Sequence, residues 1–282
     1  MRQVEDHFLE LLHDLKDMII GYERSLKITT DGYDVGRLLC GVDSKHLSCD
    51  VFLQKLECFH PSAECREWII NQWDKSNFLY LAIEGADPSK LFNNVVEITP
   101  YQHVETVIKV YLEFPVLVST LRNGVEEKGK KSLWCTGYKW SPKYQHERIT
   151  HYYLRPDLTI SELSNLRFYH EIALQEQQDL QLFKQALVDR YPQRYETIDI
   201  LEVENIQGSN GFDIRLYPLN EAVNKHYFRL DHHFSMMRNN PFYSEINQLI
   251  SKDDAVIGHL SIGYNSNMRH LTLYWELNND AI

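Results

Sequence analysis

Two segments of the sequence place a basic residue two positions before a tyrosine. Lys109 precedes Tyr111 in the stretch VIKVYLEF, and Arg215 precedes Tyr217 in the stretch FDIRLY. In an extended strand, residues two positions apart lie on the same face, so each pair presents a cation and a phenol ring to one side. Lysine suits phosphate oxygens by its charge and arginine by its geometry. The pattern therefore predicts a charged, aromatic face that can bind an anion.

The strands predicted around these pairs alternate between apolar and polar residues. One face of each strand is therefore expected to be buried against helices and the other to be polar. The polar positions are Glu23, Ser25 and Lys27 in the first strand, then Lys109, Tyr111 and Glu113, then Glu202 and Glu204 opposite Leu201 and Val203, and last Asp213, Arg215 and Tyr217. In a barrel covered by helices, these polar faces line the lumen. In an open antiparallel sheet they would meet water instead.

The order of elements favours the closed arrangement. Residues 4–20 have the apolar spacing of an amphipathic helix. Most of the later helical stretches are followed by a predicted hairpin, which gives ten strands in five hairpins. The sequence therefore predicts an α+β fold, a single ten-stranded antiparallel β-barrel surrounded by α-helices. No Gly-, Ser- or Pro-rich linker divides the chain, so residues 1–282 are expected to form one domain, with helix 4–20 packed on the barrel.

Composition narrows the function classes. Apolar residues make up 43% and charged residues 24% of the chain, and the net charge is -11. These values are typical of a globular protein and argue against a broad nucleic-acid-binding surface. No segment has the length and apolar content of a membrane helix, and no signal peptide is recognisable. The five cysteines are expected to be reduced thiols in a cytoplasmic protein. No zinc-type ligand spacing such as HExxH occurs, so no protein metal site is predicted.

The element order and the basic-x-Tyr strands resemble the ABBA-fold prenyltransferases, whose barrel (the PT barrel, built from ααββ repeats) holds an allylic diphosphate. The cyanobactin prenyltransferases, which modify ribosomal cyclic peptides, are the more similar branch. The segments that carry the resemblance are ERSLKI, GRLLCG, VIKVYLEF, RITHYYL and HLTLYWEL. The resemblance implies transfer of a dimethylallyl or geranyl group from its diphosphate to a side chain of a cyclic peptide or another small acceptor. It also implies Mg²⁺ accompanying the diphosphate, held by the diphosphate oxygens.

The resemblance assigns roles to particular residues. Glu23 matches the family's base toward the acceptor, while Arg37 in GRLLCG and Lys109 in IKVY match diphosphate-binding positions. By strand and residue type, Arg215, Tyr217, Tyr153 and Tyr274 are also expected at the diphosphate, and Tyr111 is expected to shield the allyl cation. Such cations would stabilise the departing pyrophosphate, and tyrosine rings would stabilise the allyl cation by cation–π attraction.

Three acidic residues are expected to bind the acceptor. Glu202 and Glu204 occupy positions where family members often carry shorter polar or aromatic residues. Both are expected to face the lumen near Asp213 on the next strand. Buried carboxylates need a cation, which is either Arg215 or a cationic side chain on the substrate. The second case favours arginine as the acceptor and histidine next, whereas tyrosine or tryptophan, the other candidates, would gain nothing from the extra carboxylates. The remaining alternative is that the glutamates are exposed at the mouth of the barrel.

Two functions compete with the enzyme. One is a non-catalytic barrel that binds a lipid or peptide in the same lumen. The other is an interaction protein whose N-terminal helix docks a partner through Phe8, Leu12 and Leu15. A lipid carrier would be expected to have a mostly apolar lumen, and the predicted cations and tyrosines favour the enzyme over it.

Overall fold

Ten strands and seven α-helices make up the described part of the chain in the computed structural model. The described residues are 4–85, 105–114, 131–144, 146–155, 160–165, 167–195, 198–205, 210–220, 230–252, 255–265 and 268–277. The helices are α1 (Val4–Leu15), α2 (Cys49–Leu56), α3 (Ala63–Trp73), α4 (Leu174–Arg190), α5 (Leu230–His233), α6 (Ser235–Arg238) and α7 (Tyr243–Lys252). The strands are β1 (Ile19–Ile28), β2 (Tyr33–Asp43), β3 (Phe78–Glu84), β4 (Val107–Glu113), β5 (Ser132–Trp140), β6 (Glu147–Leu154), β7 (Ile200–Asn205), β8 (Asn210–Arg215), β9 (Ile257–Asn265) and β10 (Met268–Leu277).

The strands form one closed antiparallel barrel. Each strand pairs with its sequence neighbours, and β1 closes the ring by pairing with β10. In that closing pair Glu23 lies opposite Glu276 and Ser25 lies opposite Tyr274. The predicted barrel of ten antiparallel strands is therefore confirmed, and the open-sheet alternative is excluded.

The apolar core lies outside the barrel, between the strands and the helices. One cluster joins the outer faces of β2–β5 to α1, α2 and α3, with Phe8, Phe52 and Trp140 almost fully buried. A second cluster joins β8–β10 and part of β1 to α4–α7, with Phe183 and Trp275 at its centre. The apolar alternation predicted for β1, β4 and β8 therefore faces the helices, and the inner faces are left for polar side chains.

Helix α1 is shorter than its predicted range of 4–20. It ends at Leu15, and Ile19 already belongs to β1 after a short 3₁₀ turn. The apolar spacing continues past Leu15 because Met18 and Ile19, which follow directly, also pack against the first cluster. Phe8, Leu12 and Leu15 are buried in the first cluster, so this face of α1 packs on the barrel.

The helical stretch after β2 is divided by local sequence signals. Ser48 caps α2 by accepting a hydrogen bond from the backbone N–H of Val51, and Ser62 caps α3 in the same way from Cys65. Between them, His60 adopts a left-handed conformation with φ of 50° just before Pro61. Proline cannot continue a helix from the preceding turn, so two short helices replace one long one.

In the described residues, no helix combines the length and apolar character needed to cross a bilayer.

Candidate active site

The barrel encloses a cavity of about 230 Å³ lined by polar and aromatic side chains. Its wall includes residues from β1, β3, β4, β5, β6, β7, β8, β9 and β10. The cations in it are Lys27, Lys109, Lys139, Arg148 and Arg215, and the carboxylates are Glu23, Glu84 and Asp213. The inward polar faces predicted for β1, β4 and β8 are thus confirmed.

One group of charged residues, here called the lysine cluster, consists of Lys27, Asp34, Glu84, Lys109 and Lys139. The carboxylate of Glu84 lies 2.7 Å from the Lys109 ammonium and 2.9 Å from the Lys139 ammonium. Burial, with a smaller contribution from Glu84, raises the pKa of Asp34 to about 6, although the three lysines oppose this shift. The cluster therefore concentrates three ammonium groups around two carboxyls, one of which takes up a proton at a higher pH than an exposed aspartate does.

His270 borders the lysine cluster. Burial, aided by the charges of Lys27 and Lys109, lowers its pKa to about 4. Its ring lies against Gly263, where an added Cβ would approach the ring nitrogen to 2.5 Å. A neutral imidazole therefore completes this side of the cavity, and only a glycine in β9 leaves room for it.

A second group, here called the Glu23 cluster, consists of Glu23, Asp213, Tyr217, His259 and Tyr274. The hydroxyl of Tyr217 donates a hydrogen bond to Oε1 of Glu23. His259 places Nε2 3.8 Å from Oε2 of Glu23 and Nδ1 3.6 Å from Oδ2 of Asp213. The Tyr274 ring stacks on the imidazole with centroids 3.7 Å apart and planes 5° from parallel. Each oxygen of Glu23 thus has a polar neighbour, Tyr217 on one side and His259 on the other.

The two carboxylates determine the protonation of His259. Burial opposes its positive charge, but the hydrogen bond and charge of Asp213, together with those of Glu23, outweigh burial and raise the pKa of His259. Glu276, opposite Glu23 on β10, also has a raised pKa because of burial and the charge of Glu23. Two carboxylates thus flank one histidine here, and protonation of His259 offsets only part of their negative charge.

Arg215 lies between aromatic rings beside the Glu23 cluster. Its guanidinium carbon is 4.1 Å from the centroid of the Trp134 ring and 5.2 Å from that of Tyr217. Nearby, Tyr80 donates a 2.7 Å hydrogen bond to Glu113. Burial raises the pKa of Glu113, and the Tyr80 hydrogen bond and the Arg215 charge only partly offset it. The predicted cations Lys109 and Arg215 thus line one cavity but have different immediate neighbours.

Two glycines make room for tyrosine rings in the cavity. A Cβ at Gly137 would come within 2.5 Å of the Tyr111 ring, and one at Gly258 would come within 2.9 Å of the Tyr217 ring. The Tyr111 ring meets that of Tyr152 edge to face at 5.9 Å. These glycines let bulky rings lie flat against neighbouring strands.

Seven of the predicted site residues line the cavity, and the inward placement predicted for three others is wrong. Glu23, Lys109, Tyr111, Asp213, Arg215, Tyr217 and Tyr274 line it. Arg37 lies in β2 opposite Ser25, but its side chain is outside the described part of the structure.

Tyr153, Glu202 and Glu204 lie on the outer face of the barrel. Their strand neighbours Tyr152, Leu201 and Val203 line the cavity instead. Glu202 is bound by Arg155 at 2.8 Å, and Lys131 pairs with Glu204 and lies 4.3 Å from the Tyr153 ring centroid. The rule that apolar residues face outward fails here because outer ion pairs, and not an apolar layer, cover these positions.

Several cavity residues were not predicted to line the site, among them His259, Lys139, Arg148 and Tyr152. His259 alternates with Leu260 in β9, so the rule applied to the other strands would have found it. Lys139 and Arg148 lie opposite each other in β5 and β6, where alternation is harder to read. An irregularity between Leu133 and Cys135 shifts the register of β5. Nothing in the sequence shows that Tyr152, and not the adjacent Tyr153, faces the cavity.

The cavity does not offer a metal site. Among the residues that the structure describes, no group of three or more His, Cys, Asp or Glu side chains is arranged to hold a metal ion. Glu84, the carboxylate nearest to the lysines, is already paired with two of them. The residues present therefore do not fit a protein-bound Mg²⁺.

Comparison with known proteins gives a similarity in structure and none in sequence. No family model matches the chain, and no curated protein matches it by sequence. The crystal structure of AnaPT from Neosartorya fischeri superposes with a TM-score of 0.51 at 10% identity, covering 90% of this chain and 78% of that one. The crystal structure of NotF prenyltransferase matches with a TM-score of 0.38 at 11% identity, over 91% and 80% of the two chains. The chain therefore has the helix-wrapped ten-stranded barrel of the ABBA fold, which it shares with AnaPT.

Proposed function

We propose that the chain is a prenyltransferase that moves an isoprenyl group from an allylic diphosphate to a side chain of a cyclic peptide. One observation carries the proposal: one cavity inside the closed barrel holds a cluster of lysines and, on other residues, a carboxylate contacted by a tyrosine and a histidine. These are the two charge environments that the reaction needs, one for the leaving pyrophosphate and one for the proton of the acceptor. We take residues 1–282 as one functional unit.

The lysine cluster is proposed to bind the diphosphate. Lys27, Lys109 and Lys139 approach from three strands, and fixed cations stabilise the negative charge that develops on a departing pyrophosphate. Glu84 now neutralises two of them, so the diphosphate must take its place between Lys109 and Lys139. Arg215 is proposed as a further cation on β8. Side chains that face the cavity would then contact the diphosphate oxygens, and this binding requires no structural change in the outer core.

The allyl cation is proposed to form beside Tyr111 and Tyr152. Their rings lie in the cavity, and Tyr111 shares a strand face with Lys109. An aromatic face stabilises a desolvated cation by about 2 kcal/mol, and the rings also exclude water that would otherwise trap the cation. By contrast, His259 covers one face of Tyr274 at 3.7 Å, so that face is closed to the cation.

Glu23 is proposed as the general base. It lies four residues from Lys27 on β1, which corresponds to about 13 Å along the strand. The bond between the allylic carbon and the diphosphate oxygen breaks first, and the acceptor atom then forms a bond to the allyl cation. The proton on the acceptor atom passes to Glu23, and pyrophosphate leaves with the electron pair of the broken bond.

The acceptor is proposed to be a side chain that carries an N–H or O–H group, with arginine, histidine, tyrosine and tryptophan as candidates. The argument for arginine from Glu202 and Glu204 is lost, because both face outward. What remains in favour of a cationic acceptor is the pair of carboxylates, Glu23 and Asp213, that flank one histidine in the cavity. Any Mg²⁺ would accompany the diphosphate through its own oxygens, and no step is assigned to it.

Two measurements test this proposal. First, dimethylallyl S-thiolodiphosphate should raise the melting temperature of the protein, since a ligand at 100 times its Kd stabilises by about 2.7 kcal/mol. Second, matched macrocyclic peptides that differ only in one Arg, His, Tyr or Trp residue are incubated with dimethylallyl diphosphate, and mass spectrometry reports addition of the prenyl group. Stabilisation by a fatty acid and none by the diphosphate analogue would refute the enzyme in favour of a lipid-binding barrel.

A further inference from the structure

We propose that His259 is a positioning residue, an imidazolium held between Glu23 and Asp213 that fixes the Glu23 carboxylate for proton transfer. The inference rests on the proposed function, because it assigns His259 a task in that reaction. Neither the assignment of Glu23 as the base nor the binding of the diphosphate by the lysine cluster requires His259.

The geometry holds His259 on three sides. Its two ring nitrogens lie 3.8 Å from Glu23 and 3.6 Å from Asp213, so the ring bridges carboxylates on β1 and β8. Tyr274, on β10, stacks on the imidazole at 3.7 Å and nearly parallel. The stack fixes the plane of the ring, and the two carboxylates fix its rotation within that plane. A ring so constrained can in turn hold the orientation of the Glu23 side chain.

Of the basic side chains that the structure describes, His259 is the one paired with Glu23, at 3.8 Å. Tyr217 holds Oε1 of Glu23 through its hydroxyl, and Gly258, the residue before His259, leaves the space for that ring. Arg215 lies opposite His259 in the β8–β9 pairing, with its guanidinium over Trp134. Glu276 on β10 adds negative charge near Glu23. His259 is therefore the group whose protonation sets the charge balance around the base.

The proposal has a direct consequence for pH. The two carboxylates raise the pKa of His259 despite its burial. Below that raised pKa the imidazolium attracts both carboxylates, and above it the neutral ring attracts them less while their mutual repulsion remains. Activity should therefore fall as the pH rises through the pKa of His259. During transfer the acceptor proton goes to Glu23, and His259 keeps its own two protons.

A charged His259 would also direct the donor. An imidazolium repels an allyl cation, so it keeps the cation away from the Tyr274 face and on the side of Tyr111 and Tyr152. The same residue thus positions the base and separates it from the electrophile until the acceptor atom lies between them.

The test combines NMR with kinetics on the full-length protein. Imidazole ¹³C and ¹⁵N shifts of His259, assigned by their loss in His259→Gln, should report an imidazolium at pH 7 and a lower midpoint in Asp213→Asn. In steady-state kinetics, His259→Gln should lower kcat by about 10- to 100-fold with little change in KM for the donor, and should remove the alkaline decrease in kcat. Asp213→Asn should move that decrease to lower pH. His46→Gln, an exposed histidine, is the matched control and should leave all of these quantities unchanged.

The possible outcomes separate the two proposals. A neutral His259 at pH 6, or a His259→Gln variant with the wild-type kcat and pH profile, would overturn the positioning role while prenyl transfer stands. If His259 is an imidazolium but the protein prenylates no acceptor, the proposed function and the catalytic role of His259 are both refuted. Only the pairing of His259 with the two carboxylates would then stand. If His259→Gln fails to fold, Asp213→Asn and the NMR titration still decide the question.

Discussion

The lysine cluster and the Glu23 cluster share one cavity but differ in how their charges are held. In the lysine cluster, Lys109 and Lys139 reach one carboxylate, Glu84, at 2.7 and 2.9 Å, and long side chains can move to a new anion. In the Glu23 cluster, Tyr274 stacks on His259 at 3.7 Å, and rigid rings fix the position of the carboxylates. The first arrangement suits an exchange of ligands, and the second suits a group that must keep its orientation.

This difference follows from barrel geometry. Alternate residues of each strand face the cavity, and the apolar alternates pack on the helices. Each cluster can therefore change without disturbing the outer core. Substitutions in the two clusters should consequently separate donor binding from turnover, and the following predictions use that separation.

The largest effect is expected for Glu23→Gln. The amide keeps the size of the side chain and its contact with Tyr217, but it cannot accept a proton. Loss of a general base lowers turnover by about 100-fold or more. Steady-state kinetics with a prenylated-product assay should show this loss, while calorimetry should show unchanged binding of the thiolodiphosphate.

Glu67→Gln, on the exposed side of α3, is the control for Glu23→Gln and should behave as wild type. A Glu23→Gln variant that weakens donor binding as much as turnover would show that the two clusters are not separate. Turnover near wild type would remove Glu23 from the mechanism.

The second effect is on the donor. Lys109→Ala removes an ammonium from the lysine cluster and should weaken pyrophosphate binding by about 10-fold, because a hydrogen bond to a charged group contributes about 1.5 to 3 kcal/mol. Isothermal calorimetry with inorganic pyrophosphate measures this loss of affinity, with Lys45→Ala, an exposed lysine, as control.

Arg215→Ala tests whether Arg215 also binds the pyrophosphate, by comparing its loss of affinity with that of Lys109→Ala. An equal loss would place the pyrophosphate between the two cations, and no loss would assign Arg215 to the Glu23 cluster.

The sequence predicts the barrel well and the site in part. The ten strands and the inward faces of β1, β4 and β8 follow from alternation, which reports burial on one side. Alternation fails at Glu202 and Tyr153 because outer ion pairs with Arg155 and Lys131 make that outer face polar. Pairings between distant strands, such as His259 with Glu23, depend on closure of the ring and have no local signal.

A smaller effect is expected for Tyr217→Phe. The change removes the hydroxyl that donates to Oε1 of Glu23 and keeps the ring that fits against Gly258. Loss of one hydrogen bond to a carboxylate should reduce kcat by about 10-fold, with pyrophosphate binding unchanged. Tyr144→Phe, an exposed tyrosine, serves as the control. A loss of pyrophosphate affinity in Tyr217→Phe would move this residue to the diphosphate site and contradict the division between the clusters.

The smallest effect concerns stability and the lysine cluster alone. Burial raises the pKa of Asp34 to about 6 from 3.8, so the folded protein binds this proton more tightly than the unfolded chain. The neutral carboxyl is favourable below pH 3.8, and its contribution is lost as the pH rises through about 6. Asp34→Asn removes this titration.

The gain in unfolding free energy from Asp34→Asn should therefore be larger at pH 7.5 than at pH 5, by about 1 kcal/mol. Urea unfolding at both pH values measures it, with the exposed Asp17→Asn as control. A gain independent of pH would mean that the three lysines keep Asp34 ionised at pH 5 as well as at pH 7.5. In that case pyrophosphate would have to compete with both Asp34 and Glu84 for the same ammonium groups at either pH.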